Sequence, residues 1–84
     1  MQTIEPTLLM FRIKKWQVRK LLSYTVALRP EIQHRILENK WFRTDKFVLF
    51  SCTTKKGKHK WFVVTTIPEQ QFKTLYDLNK KEYV

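Results

Sequence analysis

The sequence predicts an α+β fold, a small single-layer antiparallel sheet containing a hairpin over residues 46–66 and packed with helices. The approximate order is β–α–α–β–β–α. Three observations carry this. Two β-branched and aromatic runs flank the only glycine, Gly57, which is the pattern of two strands joined by a tight turn. Thr66-Ile-Pro-Glu69 combines a capping hydroxyl, a proline and a returning carboxylate, the ingredients of a helix start. From Lys14 to Leu28 there is no Gly or Pro, and Val18, Leu21, Leu22, Thr25 and Leu28 recur at helical spacings. A chain of 84 residues with 43% hydrophobic residues and no repeat or low-complexity tract fits a single compact domain over 1–84.

Each element follows in order. Thr7-Leu-Leu-Met-Phe-Arg-Ile13 is apolar and then alternating, and it is assigned to a strand although so short a run also fits a helix start. Lys14 to Leu28 reads as the first helix, against the β-prone Ser23-Tyr-Thr-Val26. Pro30 suits the first turn of a second helix, Glu31 sits where the helix dipole favours an acid, and Ile32, Ile36 and Leu37 supply its apolar side. Asn39 stands near its C-terminal end. Trp41 and Phe42 are expected to cover the edge of the core.

The hairpin admits two registers. A two-residue Lys56-Gly57 turn pairs Phe50 with Val63 but forces Lys56 to positive φ. A three-residue loop, Lys55-Lys56-Gly57, pairs Phe50 with Phe62 and Val48 with Val64, and gives the left-handed position to glycine. The second is favoured on backbone grounds. Either leaves both strands apolar on both faces near their middle, which calls for more cover than one helix layer or for a central place in the sheet. In the last helix Phe72, Leu75, Tyr76 and Leu78 form the apolar side. Lys73, Asp77, Lys80 and Lys81 face mainly solvent. Tyr83 and Val84 are expected either to dock or to fray.

Function begins with charge. Seventeen Lys and Arg against seven Asp and Glu give a net charge of +10, more than solubility requires and suited to an anionic partner. The charge lies in two acid-free intervals. No acid occurs between Glu5 and Glu31, where Arg12, Lys14, Lys15, Arg19, Lys20 and Arg29 fall. None occurs between Asp45 and Glu69, where Lys46, Lys55, Lys56, Lys58 and Lys60 fall. Phosphate contacts need positive side chains on a rigid support, and a hairpin tip supplies one.

The candidate binding residues for nucleic acid or another anionic partner are therefore Arg12, Lys14, Lys15, Trp16, Arg19 and Lys20, together with Lys55, Lys56, Lys58, His59, Lys60 and Trp61. Trp61 would stack on a base if it faces outward. Trp16 and Trp41 also read as packing residues, and the tip as a solvated turn that keeps an apolar hairpin soluble. The leading expectation is a small, basic, non-catalytic binding protein contacting RNA or DNA phosphates. The alternative is a protein-interaction module, such as an adaptor, inhibitor or small complex subunit, that binds an acidic protein surface.

Other chemistry does not assemble. One cysteine excludes an internal disulfide framework, and Cys52 on its apolar strand reads as a buried, inert thiol. His34 falls on a helix surface. The carboxylates are dispersed, and no HExxH, phosphate-binding loop, dinucleotide-binding fingerprint or zinc-finger spacing is present. No enzyme activity, cofactor or metal is expected. The apolar run at Leu8–Ile13 is far short of a membrane span and is broken by Arg12 and Lys14, so no integral membrane insertion is expected, and no secretory signal. Cytoplasmic localisation is the resulting expectation. A small core leaves a homodimer open, with no periodicity to specify its interface.

Overall fold

The computed structural model describes residues 7–26 and 29–81. Its order is β1 (Leu9–Ile13), α1 (Lys15–Val26), α2 (Pro30–Asn39), β2 (Trp41–Arg43), β3 (Phe47–Thr53), β4 (His59–Thr65) and α3 (Glu69–Leu75). The α+β class holds: one open antiparallel sheet, ordered β1-β4-β3-β2, packs against three helices. The central hairpin has the three-residue register. Phe50 pairs with Phe62 and Val48 with Val64, and Gly57 takes φ 78°. Thr54 and Lys58 close the loop through a 2.8 Å backbone bond, while the Gly57 N–H donates to Thr54 O at 2.9 Å.

Strand β2 is an addition to the order read from the sequence. Its three residues carry no alternation long enough to read, and they become a strand by pairing with β3, Trp41 opposite Phe50 and Arg43 opposite Val48. The sharp exit from α2 that makes this pairing possible is Lys40, at φ 58°. Trp41 therefore does not cover the core edge as expected; it is 54% exposed, while Phe42 faces the core.

Helix α1 starts because Gln17 reaches back one turn. Its Oε1 accepts from the Lys14 N–H at 2.7 Å and its Nε2 donates to Leu78 O at 2.9 Å. The side chain thus caps a helix end and ties it to the segment after α3. Helix α3 begins later than Thr66 predicted. Pro68 occupies the N-cap position with no side-chain cap, and the turn before it is built by buried Thr65, whose hydroxyl donates to Lys46 O at 2.8 Å and accepts from the Ile67 N–H at 3.2 Å. Asp77 does not simply face solvent either, because Lys20 Nζ lies 3.1 Å from its carboxylate. Leu75 is 52% exposed, whereas Phe72, Tyr76 and Leu78 enter the core. The expectations for Leu28, Tyr83 and Val84 fall outside the described residues.

Strand alternation sorts the sheet into two unlike faces. Phe11, Ile13, Phe42, Phe47, Leu49, Val63 and Thr65 look toward the helices. The core they form with Val18, Leu21, Leu22, Ile36, Phe72 and Leu78 is centred on Phe72, whose ring lies 5.3 Å from Phe11, 5.4 Å from Phe47 and 4.8 Å from Tyr76. Each such side chain withdrawn from water contributes roughly 1.5–3 kcal/mol. Met10, Arg12, Trp41, Arg43, Val48, Phe50, Cys52, Lys60, Phe62 and Val64 alternate to the opposite face. None of these ten is fully buried, so no second layer covers this face among the described residues; the apolar character of β3 and β4 goes instead with their central places in the sheet, the other alternative their sequence offered. Cys52, expected to be buried, is exposed there, because its register places it on the same face as Phe50 and near the hairpin tip.

Candidate functional site

The topology brings the two basic clusters together. Strands β1 and β4 are neighbours, Ile13 pairs with Trp61, and the next residue along β1 is Lys14, entering α1. The chain therefore carries Lys14 and Lys15 to the hairpin-tip end of β4. A shallow groove of about 330 Å³ at this junction is lined by Arg12, Ile13, Lys14, Lys15, His59, Lys60 and Trp61. A second, of about 250 Å³, shares Lys15, His59 and Trp61 and adds Arg19, Leu37, Lys40 and Ser51. Neither lining contains a carboxylate. Beyond them the tip projects Lys55, Lys56 and Lys58, all exposed.

Trp61 is half-buried and packs against the core from the helix side. It forms an apolar wall shared by both grooves rather than an outward platform. Trp16 is also half-buried; it borders separate depressions, one with Arg12, Lys14 and Lys73 and the other with Arg19 and Lys81. His59 is exposed between Lys40 Nζ, 3.3 Å from its Nε2, and Thr53 Oγ1, 3.2 Å from its Nδ1. With a neutral ring, the Lys40 ammonium donates to Nε2 and Nδ1–H donates to Thr53. The imidazole thereby links the start of β2 to the end of β3 at the floor of the basic surface.

Lys20 stands apart from the other cations of its cluster. Its ammonium donates to Asp77 O at 2.8 Å, to the Asp77 carboxylate at 3.1 Å and to Lys80 O at 2.8 Å, and its side chain is only 16% exposed. It straps α1 to the segment following α3. His34 is on the surface of α2, where its Nε2 lies 2.8 Å from the Glu38 carboxylate.

Two groups that line the second groove and one on the opposite face of the sheet escaped the sequence reading. Lys40 sits in a helix-ending turn, and its basic neighbours are distant in sequence. Arg43 lies on β2, a strand the pattern did not reveal. Ser51 has its Oγ buried without a hydrogen-bond partner among the described residues, at the edge of the second groove. Alternation from Phe50 places Ser51 on the opposite face to that ring, but nothing local marks its hydroxyl.

Among the described residues no cluster of His, Cys, Asp or Glu has the makings of a metal site, and no helix is long and apolar enough to cross a membrane. Comparison with protein-family models, with curated proteins and with solved structures gave no match. Roles for these residues rest on their own chemistry.

Proposed function

We propose that the protein is a small non-catalytic nucleic-acid-binding domain that holds RNA or DNA phosphates on the surface joining the hairpin tip to the start of α1. The observation that carries this reading is the convergence of Lys14, Lys15 and Arg19 with Lys40, His59 and Lys60 around two contiguous grooves without a lining carboxylate. Cations placed at several points on a rigid support give a multivalent phosphate contact, and the counterions they release make binding strongly salt-dependent. Arg12 and Arg19 add bidentate donors. The tip lysines extend the positive field and add three phosphate contacts of their own.

Titration of labelled RNA, single-stranded DNA and duplex DNA at several salt concentrations tests this. Binding should weaken steeply as salt rises, with log affinity linear in log salt. Replacing Lys55, Lys56 and Lys58 together with Ala should make the slope shallower by about 2–3, at roughly 0.7–0.9 per phosphate contact. Absence of binding at low salt would reject the proposal and favour an acidic protein surface as the partner.

A further inference from the structure

The face of the sheet turned away from the helices carries a row that no basic cluster predicts. Arg12, Phe62, Phe50 and Trp41 are successive cross-strand partners on β1, β4, β3 and β2. The row crosses the whole sheet, about 14 Å at the usual strand spacing. Phe50 and Phe62 lie with ring centroids 5.7 Å apart and planes 24° from parallel, and Trp41 at the β2 edge is 54% exposed. Among the described residues no helix covers the row. On its tip side lies Lys60, opposite Cys52; on the other side lies Arg43, opposite Val48. No strand of the sheet contains an acidic residue.

We infer that this face is a stacking platform for the unpaired bases of a single-stranded nucleic acid. Flat aromatic surfaces alone would suit many apolar partners, but here they are bracketed by Arg12, Arg43 and Lys60. Those cations match a phosphate backbone running alongside bases laid on the rings. A second copy of the chain seated face to face would instead bring these same cations together while removing them from water, an unfavourable arrangement. Bases in a duplex are already stacked on one another and cannot lie on the row, whereas splayed bases can, and sheet platforms of this width take two or three. The inference rests on the phosphate-binding reading and narrows its ligand to single strands.

The test uses three labelled probes at one salt concentration: oligothymidylate, an abasic phosphodiester strand of equal length, and a duplex. Wild-type protein should bind oligothymidylate about tenfold or more tightly than the abasic strand. Trp41→Ala should remove about tenfold of the oligothymidylate affinity and leave abasic binding unchanged, while Trp41→Phe should retain most of it. Trp41 lies exposed on an edge strand, so folding is not at stake. Cys52 on the same face, opposite Lys60, provides a readout in the unmutated protein, since at equal occupancy oligothymidylate should slow its alkylation more than the abasic strand does.

Equal affinity for bases and for the abasic strand, unchanged by Trp41→Ala, would overturn the platform and leave phosphate binding standing. Failure of all three probes to bind would remove both. Conversion of a dimer to a monomer by Trp41→Ala, with oligothymidylate affinity unchanged, would also overturn it and assign the face to a second copy.

Discussion

Val63 and Val64 are adjacent on β4, equal in shape, and turned to opposite faces of the sheet. Val63 is fully buried between its partners Phe11 and Leu49; Val64 is half-buried between Met10 and Val48. Threonine keeps nearly the volume and the β-branching of valine and exchanges one methyl for a hydroxyl, so strand propensity does not distinguish the two substitutions. At position 63 that hydroxyl enters an apolar core and loses its water, costing about 1–3 kcal/mol. At position 64 it remains hydrated, and the change should stay within about 0.5 kcal/mol. Urea unfolding of a small domain has a slope of about 1 kcal/mol per molar. Val63→Thr should therefore lower the midpoint by about 1–3 M and Val64→Thr by less than about 0.5 M. Equal losses at both positions would refute the assignment of an open face.

Gly57→Ala should cost about 1 kcal/mol and lower the melting temperature by about 4–8 °C. The cost comes from φ 78° alone, since a methyl group there would meet no atom within 4 Å. Lys20→Met should lower stability by about 1–2 kcal/mol through loss of the strap to Asp77 and Lys80, with oligonucleotide affinity nearly unchanged; denaturation and binding curves on the same variant separate the two effects. Burial, and secondarily the Asp45 carboxylate, raises the Tyr76 pKa above its ordinary value of about 10. Because the folded-state value is the higher one, this stabilisation is complete below about pH 10 and is lost as pH rises through the folded-state pKa. Urea midpoints at neutral and alkaline pH should show a smaller alkaline decline in Tyr76→Phe than in wild type.

The hairpin and its register were legible because their determinants are local. One glycine had to take the positive-φ position, and two apolar runs fixed what could pair across it. The sheet edge and the helix caps depended on distant groups instead. Trp41 becomes a strand residue by meeting Phe50, α1 is capped partly through Leu78, and Lys20 leaves the binding cluster because Asp77 lies 57 positions away. The phosphate-binding candidates were readable as two acid-free intervals, but their convergence needed the β1–β4 pairing. Cys52 was misplaced for a related reason. A strand apolar on both faces does not reveal which face the helices cover.

The most direct test of the proposed binding surface is a nitrogen-15 NMR titration of the protein with oligothymidylate at low salt. The Trp41 indole N–H, the backbone amides of Phe50, Lys60 and Phe62, and those of Lys15 and the hairpin tip should shift together, while Phe72 and Leu78 in the core remain still. Shifts confined to α2 and α3, or no shifts at saturating oligothymidylate, would contradict it.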